Sequence, residues 1–227
     1  MTDKKYSIAI DGPSGAGKST IAKAVARKLG FIYVDTGAIY RAVGYYARSR
    51  GIVREEIEKV IPELKNVDLE LEYTTDGTQQ VILNGENVTD KIRQPEISLY
   101  ASDVSKLAAV RDFLLEMQRR MAREYNVIMD GRDIGTVVLP DADVKIFLTA
   151  TAEDRARRRY DELKKRGTEE NFQSVLRDMK YRDKQDSERD VAPLKAAPDA
   201  VTIDTTGNSF EKSLRVVTDA VRERLEK

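Results

Sequence analysis

The 227-residue chain contains no cysteine and no histidine. Without cysteine, disulfide bonds, zinc–thiolate sites and thiol nucleophiles are excluded. Without histidine, the chain lacks the most common general base and the most common transition-metal ligand. Any catalysis must therefore use carboxylates, cations, hydroxyls and backbone amides. Phosphoryl transfer is compatible with that set, because it depends mainly on positioning and on charge neutralisation.

The chain also lacks an excess of charge and a long apolar segment. Its 39 Lys and Arg residues are balanced by 39 Asp and Glu residues, so no overall electrostatic attraction draws it to nucleic acids or anionic membranes. The first apolar run, Ile8–Ile10, is too short for a signal-peptide core or a membrane span. We therefore expect a cytoplasmic protein without nucleic acid or membrane partners. With no long apolar patch evident, we expect a monomer.

The pattern of apolar residues predicts an α/β protein. Hydrophobic residues make up 41% of the chain and charged residues 34%, as in a folded enzyme. Strands are predicted at residues 7–10, 31–34, 127–129, 144–148 and 200–204. Helices are predicted at residues 18–29, about 38–48, from Pro95 to about 124, 152–189 with a break at Gly167, and a last helix with an apolar stripe of Phe210, Leu214, Val217, Val221 and Leu225. Strands alternating with helices predict a parallel sheet with helices on both faces.

Residues 67–92 interrupt this alternation. Val67–Tyr73 alternates apolar and acidic residues at the strand period, and turn sequences occur at Thr75–Thr78 and Asn84–Gly85. This pattern predicts a small antiparallel insertion with one face open to solvent. We expect a single domain over residues 1–227. Its core would comprise about residues 1–64, 96–150 and 190–227, and the insertion about 65–95. A charged helical lid and the helix that follows it would take up about residues 151–189.

A phosphate-binding loop is predicted between the first strand and the first helix. Gly12–Ser19 matches the pattern of Gly, four residues and Gly-Lys-Ser. The glycines allow backbone N–H groups to point at phosphate oxygens, next to the positive end of the helix dipole. Lys18 would bridge the β- and γ-phosphates, and Ser19 would bind Mg²⁺. The residues expected to bind ATP are Gly12, Pro13, Ser14, Gly15, Ala16, Gly17, Lys18, Ser19 and Thr20.

Such a loop alone does not distinguish a kinase from a molecular switch. A regulatory GTPase usually carries an Asn-Lys-x-Asp motif, and no asparagine of the chain begins one. A non-catalytic nucleotide switch remains an alternative, as does a kinase for another small acceptor. A glycine-rich turn with a chance lysine is the structural alternative to the loop itself.

Two further segments lie directly after predicted strands, at the edge of the sheet where ligands bind. In Asp35–Arg41, Thr36 could cap a helix or contact a sugar or phosphate, and Arg41 could reach an anion. In Asp130–Asp133, Asp130 occupies the usual position of a carboxylate that holds Mg²⁺ through water, and Arg132 could bind an anionic acceptor with two hydrogen bonds. The alternatives are helix-surface packing for the first segment and a turn with a local salt bridge for the second.

The predicted lid is rich in arginine. Arg155, Arg157, Arg158, Arg159 and Arg166 lie on its first predicted helix and at the exit of that helix, and Arg177, Arg182 and Arg189 follow. Such a run is often a solvated face, here paired with Asp161, Glu162, Asp178 and Asp183. A helical hairpin that closes over ATP would instead supply cations to offset the repulsion between two phosphates and would exclude water.

Four stretches together resemble the bacterial cytidylate kinases. They are Ile10–Ser19, Asp35–Arg41, Asp130–Val138 and Val191–Leu194, and the resemblance covers essentially the whole chain, including the three-stranded insertion. The Gly-Arg-Asp-x-Gly-Thr-Val-Val sequence is much more specific than the phosphate loop. The resemblance implies a P-loop NTPase core, transfer of a phosphoryl group from ATP with Mg²⁺ to CMP, and dCMP as a second acceptor.

The resemblance also implies roles for particular residues. Cytosine would be read by Ser102, Arg111 and Asp133, with Arg189 nearby. The acceptor phosphate would contact Arg41 and Arg132, and the ribose would contact Arg182 and Asp186 with a contribution from Thr36. Tyr40 completes the expected CMP-binding set. The catalytic residues would be Lys18, Arg132, Arg155 and Arg158, and the metal site would be Ser19 with Asp130 through water.

Overall fold

In the computed structural model, which describes residues 4–165, 167–168 and 170–226, the chain forms a five-stranded parallel sheet and a three-stranded antiparallel sheet. The strands are β1 Ser7–Asp11, β2 Ile32–Asp35, β3 Leu69–Tyr73, β4 Gln79–Leu83, β5 Glu86–Asn87, β6 Val127–Gly131, β7 Val144–Thr149 and β8 Val201–Asp204. The parallel sheet has the order β2-β6-β1-β7-β8, and the antiparallel sheet has the order β3-β4-β5. The predicted α/β fold with an antiparallel insertion is confirmed.

The helices lie between these strands, and α7 follows the last one, as the sequence predicts. They are α1 Lys18–Leu29, α2 Thr36–Ser49, α3 Pro95–Val104, α4 Ala108–Glu124, α5 Ala152–Lys165, α6 Phe172–Glu188 and α7 Phe210–Leu225. Helix α1 has the predicted bounds, and Gly30 ends it in a left-handed conformation that glycine adopts easily. No helix in the described part of the chain combines the length and the apolarity needed to cross a membrane.

Hydrophobic clusters lie on both faces of the parallel sheet, because successive residues of a strand point to opposite sides. Ile8 and Ile10 of β1 pack in one cluster with apolar residues of α1 and α7. Ala9, between them, belongs to a cluster on the other face with Ile134, against which Leu115 of α4 packs. Helices therefore cover both faces, as predicted.

A third cluster joins the antiparallel sheet to α2 and α3. Val81 of β4 and Ile97 of α3 are buried in it. Gly44 of α2 permits the close approach of the two helices, since a Cβ there would lie 2.9 Å from both the backbone N of Ala101 and the Cβ of Tyr100. The insertion is thus packed on the helix that begins with the predicted acceptor residues. The prediction that the insertion comprises about residues 65–95 of the domain stays a prediction.

Some features go beyond the sequence prediction or differ from it. Residues 54–66, for which the patterns above indicate no element, form the 3₁₀ segment Arg54–Asn66. A π-helical turn spans Ile134–Val138. Phe210, expected on the apolar stripe of the last helix, is 44% exposed because it lies at the first position of α7. Arg166 and the outer limits of the predicted domain, residues 1 and 227, lie outside the described residues.

Candidate active site

The phosphate loop connects β1 to α1 and depends on its glycines. Gly12 has φ of +149°, and a Cβ at this position would lie only 2.0 Å from the backbone O of Leu148 in β7. Gly15 and Gly17 have φ of +75° and +86°, in the left-handed region that favours glycine. The loop therefore lies against the neighbouring strand in a conformation that other residues cannot adopt without strain. Its last glycine directly precedes the first turn of α1.

Lys18, the first residue of α1, points back into the loop. Its side chain is buried, and its Nζ donates a hydrogen bond to the backbone O of Pro13 at 2.9 Å. Burial, helped by the nearby positive charge of Arg132, lowers the pKa of Lys18 to about 7. The loop therefore holds its lysine in an environment that disfavours the positive charge. An anion placed in the loop would relieve that cost.

Asp130, at the end of β6, is linked through hydroxyl groups to the loop and to β2. Ser19 Oγ donates to its Oδ2 at 2.9 Å, and the hydroxyl of Tyr33 donates to its Oδ1 at 2.6 Å. Burial, followed by the negative charge of Asp35, raises the pKa of Asp130. Tyr33 was not among the predicted site residues. Its apolar surroundings in β2 resemble those of a core residue, and no sequence signal points to a contact 97 positions away.

The chemistry of Ser19 and Asp130 fits Mg²⁺. This cation prefers oxygen ligands, retains several waters and often uses one carboxylate together with substrate phosphates. The described residues contain no cluster of three or more carboxylate-type ligands that could hold a metal without a substrate. The two adjacent oxygen-bearing side chains thus match a cation that arrives with a nucleotide.

Asp11, at the end of β1, connects the loop strand to the segment that follows β6. Its carboxylate accepts hydrogen bonds from the backbone N–H of Ile134 at 2.8 Å and of Gly135 at 2.7 Å. Burial raises the pKa of Asp11 to about 6, although both N–H groups oppose this shift. In the sheet, Asp11 is the register partner of Gly131. The two predicted anion-binding segments, Gly12–Ser19 and Asp130–Asp133, therefore begin side by side.

Asp133 lies between two arginines. Its carboxylate forms ion pairs with Arg111 of α4 and with Arg189, the latter at 3.2 Å from Nη2 to Oδ1. The guanidinium of Arg111 also lies over the ring of Tyr40, 5.6 Å from its centroid. Burial raises the pKa of Asp133, while Arg111 and Arg189 act in the opposite direction. Four predicted CMP-binding residues are thus brought together, from positions 40 to 189 of the chain.

Ser102 is not part of this group. It lies in a separate cleft, with a volume of about 300 Å³, between α3 and α6. Leu99, Tyr181 and Arg182 line the same cleft, so Ser102 and Arg182 share one space. Arg111 is nevertheless near, since its Nη1 donates to the backbone O of Ser105, one helical turn beyond Ser102. The predicted set for the base is therefore divided between two adjacent parts of the structure.

Arg132, predicted to bind the acceptor phosphate, is paired with Asp186 of α6. Nε donates to Oδ2 at 2.8 Å, and this partner raises the pKa of Arg132 against the opposing effect of burial. Arg41 makes a similar contact with Asp35, at 2.9 Å. The hydroxyl of Thr36 donates to the backbone O of Asp130 at 2.7 Å, which ties the start of α2 to the end of β6.

The two lid arginines expected to be catalytic contact the chain around the phosphate loop. Arg155 is buried, pairs with Asp183, and donates from Nη1 to the backbone O of Ser14 at 2.9 Å and from Nε to that of Ala150 at 2.9 Å. Every nitrogen of its guanidinium is engaged within the chain. This arrangement favours a role in positioning the loop, and direct contact with the transferring group stays a prediction.

Arg158 also lies beside the loop. Its Nη2 donates to the backbone O of Thr205 at 2.7 Å and pairs with Asp154 at 2.5 Å. Its Nη1 lies 3.8 Å from the place where a Cβ of Gly17 would stand. Arg159, by contrast, forms an ion pair with Glu162 on the surface. This contact agrees with the alternative that the lid arginines form a solvated face with nearby acidic residues.

The chain is similar to known proteins over nearly its whole length. The sequence profile of the family described as cytidylate kinase matches residues 8–223. A cytidylate kinase of Caldicellulosiruptor saccharolyticus is 53% identical over 214 residues, which cover 94% of each chain. A cytidylate kinase of Bacillus subtilis is 47% identical over 222 residues, covering 98% of this chain and 99% of that one.

A comparison of structures agrees at the level of the fold. A crystal structure of an uncharacterized protein from Eubacterium ventriosum matches with a TM-score of 0.53 and 12% identity, covering 97% of this chain and 99% of that one. At this identity the likeness concerns the fold alone.

Proposed function

The chain belongs to the cytidylate kinase family, and we propose that it transfers the γ-phosphoryl group of ATP to CMP, giving ADP and CDP. Family membership makes it a nucleoside-monophosphate kinase. We extend the proposal to dCMP as a second acceptor, to Mg²⁺ as the cation that accompanies ATP, and to the residue roles given below.

The observation that carries the proposal is the placement of Asp133 between Arg111 and Arg189, next to Arg132 and one strand away from the phosphate loop. A carboxylate accepts hydrogen bonds and guanidinium groups donate them, so together they complement the polar edge of cytosine. A buried polar site of this kind discriminates strongly, because the wrong base would leave its groups without partners. Arg132 and Arg41 then provide positive charge for the phosphate of the same nucleotide.

The reaction needs no general base. A phosphate oxygen of CMP is already anionic near neutral pH, so it can attack the γ-phosphorus of ATP directly. As the new O–P bond forms, the bond from that phosphorus to the β–γ bridging oxygen breaks, and ADP leaves with the electron pair. The absence of histidine from the sequence is consistent with this chemistry.

Lys18 stabilises the charge that develops between the β- and γ-phosphates. Its buried position and lowered pKa mean that the positive charge is poorly solvated by water, and a polyphosphate would stabilise it. Ser19 and Asp130 would hold Mg²⁺, the carboxylate through water, and the bound cation would neutralise charge on the donor phosphates. The backbone N–H groups of the loop glycines and of Lys18 would point at the same phosphates.

Residues of the lid would complete the binding sites for ATP and CMP. Arg155 holds the backbone of the loop at Ser14, and Arg158 stands beside Gly17. Both arginines would add positive charge near the donor phosphates and so offset their repulsion from the acceptor phosphate. Arg182 and Ser102, which share a cleft, would enclose the ribose and the base of CMP, with Asp186 holding Arg132 in place.

The proposal also includes a cytoplasmic monomer that acts on small molecules only. The balance of 39 basic and 39 acidic residues supports this, since it provides no general attraction to nucleic acids. The most exposed large apolar residues lie on many different elements, among them α3, α4, α6 and α7. Such scattered positions are normal on a monomer surface.

A coupled assay of ADP release tests the proposal. CMP, dCMP, UMP, AMP and GMP are compared side by side with ATP and Mg²⁺, next to a reaction without acceptor. We expect rapid release with CMP and dCMP, slower release with the other nucleotides, and only a trace without acceptor. Equal rates with and without acceptor would instead support a nucleotide switch or ATPase, and preference for another nucleotide would refute the assignment of the acceptor.

A further inference from the structure

Side chains of the insertion form hydrogen bonds with backbone groups of the edge strand β2. Asp35 donates its backbone N–H to Oε1 of Gln79 at 2.8 Å, and Gln79 Nε2 donates to the backbone O of Asp35 at 3.4 Å. The hydroxyl of Tyr73 donates to the backbone O of Tyr33 at 3.2 Å. A side-chain amide thus binds both backbone groups of one residue, as a neighbouring strand would.

The two side chains are a matched pair. Tyr73 of β3 and Gln79 of β4 are register partners across the antiparallel hairpin. Gln79 is 8% exposed, which is unusual for a polar side chain and is accounted for by its two hydrogen bonds. Gln80, the next residue, lies on the opposite face of β4 and is half-buried. The hairpin therefore meets the main sheet through one face.

The residue held by Gln79 also organises the start of α2. The carboxylate of Asp35 accepts a hydrogen bond from the backbone N–H of Ala38 at 3.0 Å, which caps the helix. Its second oxygen pairs with Arg41 at 2.9 Å. Gly37 leaves room for this pair, since a Cβ there would lie 3.0 Å from Nη1 of Arg41. A continuous set of contacts thus runs from the insertion to a cation of the acceptor site.

We infer that Gln79 is a positioning residue for the acceptor nucleotide: it fixes the backbone of Asp35, and Asp35 in turn fixes the guanidinium of Arg41 that meets the acceptor phosphate. This inference rests on the proposed function. It gives the insertion a specific task, which is to set the orientation of the acceptor site. In this role Gln79 acts through Asp35 and Arg41 and not by direct contact with the substrate.

Steady-state kinetics of Gln79→Met test the inference. Methionine keeps the length of the side chain but removes both hydrogen bonds. We expect KM for CMP to rise about 5-fold, as for the loss of one or two hydrogen bonds, with KM for ATP changed less than about 2-fold. Gln80→Met on the same strand is the matched control and should leave both constants unchanged. An unchanged KM for CMP in Gln79→Met would overturn the inference.

A double variant separates positioning from general destabilisation. If Gln79 acts through Arg41, adding Gln79→Met to Arg41→Ala should raise KM for CMP by less than about 2-fold beyond Arg41→Ala alone. If Gln79→Met raises KM for CMP by the same factor in the wild type and in Arg41→Ala, the inference is contradicted.

Hydrogen exchange of the wild-type protein provides a test that needs no variant. The backbone amide of Asp35 should exchange slowly although it lies at the edge of the sheet, and exchange at the rate of an exposed loop would overturn the contact. Absence of CMP phosphorylation by the wild type would refute the proposed function, while the exchange measurement would still test the contact of Gln79.

Discussion

Arg155 and Asp183 form a two-point ion pair that joins the two helices of the lid. Nη1 lies 3.0 Å from Oδ1, and Nη2 lies 2.6 Å from Oδ2. The same guanidinium binds the backbone of Ser14, so the pair connects α5, α6 and the phosphate loop. Fork-to-fork pairs of this kind fix orientation as well as distance.

Removing Asp183 should therefore loosen the lid and destabilise the protein. We expect Asp183→Ala to lower the free energy of unfolding by about 2 kcal/mol, less than the 3–5 kcal/mol typical of a fully buried pair, because Asp183 is partly exposed. Urea unfolding measures the change. Glu188→Ala, at an exposed position of the same helix, is the control and should change stability by less than about 0.5 kcal/mol. Equal stability of both variants would refute a structural role for the pair.

Lys18→Ala should abolish most of the activity and leave the fold intact. Loss of a preorganised cation at the transferring phosphates should lower kcat by roughly 100- to 1,000-fold. The control is Lys28→Ala at an exposed position of the same helix, which should retain normal turnover. Initial rates at saturating ATP and CMP, with a thermal melt of each protein, make the comparison. Near-normal turnover of a folded Lys18→Ala protein would refute the role of this lysine.

Arg132→Ala should affect the acceptor more than the donor. The guanidinium is expected to bind the phosphate of CMP, so its removal should raise KM for CMP by about 10- to 100-fold, with a much smaller change for ATP. Arg132→Lys keeps the charge but loses the planar fork, and it should recover only part of the affinity. A rise in KM for ATP that equals or exceeds the rise for CMP would place Arg132 on the donor side.

Asp11 should make the stability of the protein depend on pH in an unusual direction. Its pKa in the folded protein is about 6, above the ordinary aspartate value near 4, so the folded state binds more protons than the unfolded state between these values. The stability that Asp11 contributes is complete below about pH 4 and declines as the pH rises through 6. Asn at this position does not titrate.

The comparison of wild type with Asp11→Asn isolates this effect. The free energy of unfolding of the wild type minus that of Asp11→Asn should fall from pH 4 to pH 7, by at most about 3 kcal/mol. Urea unfolding of both proteins at several pH values gives the difference. If the stability of the wild type relative to Asp11→Asn instead rises with pH, the folded protein stabilises the carboxylate in its charged form.

The parts of the fold that sequence could predict are those with short-range signals. The spacing of Ile21, Val25 and Leu29 is that of a helix and ends at Gly30, so the bounds of α1 followed from local pattern. The glycines of the phosphate loop were equally clear, because their conformations are set by the loop itself. The segment Arg54–Asn66 gave no such signal, since Pro62 interrupts it and only Val60 and Leu64 are buried.

The contacts that sequence could not predict join residues far apart in the chain. Four acidic residues were possible partners for the lid arginines, and only the packing of α5 on α6 selects Asp183 for Arg155. The bond of Tyr33 to Asp130 and that of Gln79 to Asp35 likewise depend on strand order and on the docking of the insertion. Residue type gives the capacity to form a hydrogen bond, and tertiary structure gives the partner.

The contacts of Tyr73 and Gln79 also have a consequence for solubility. β2 is an outer strand of the parallel sheet, and an outer strand with free N–H and C=O groups is a template on which another chain can add and aggregation can begin. Here the backbone groups of Asp35 and the carbonyl of Tyr33 are occupied by side chains of the same molecule. The insertion thereby blocks strand addition at this edge without itself becoming a sixth strand.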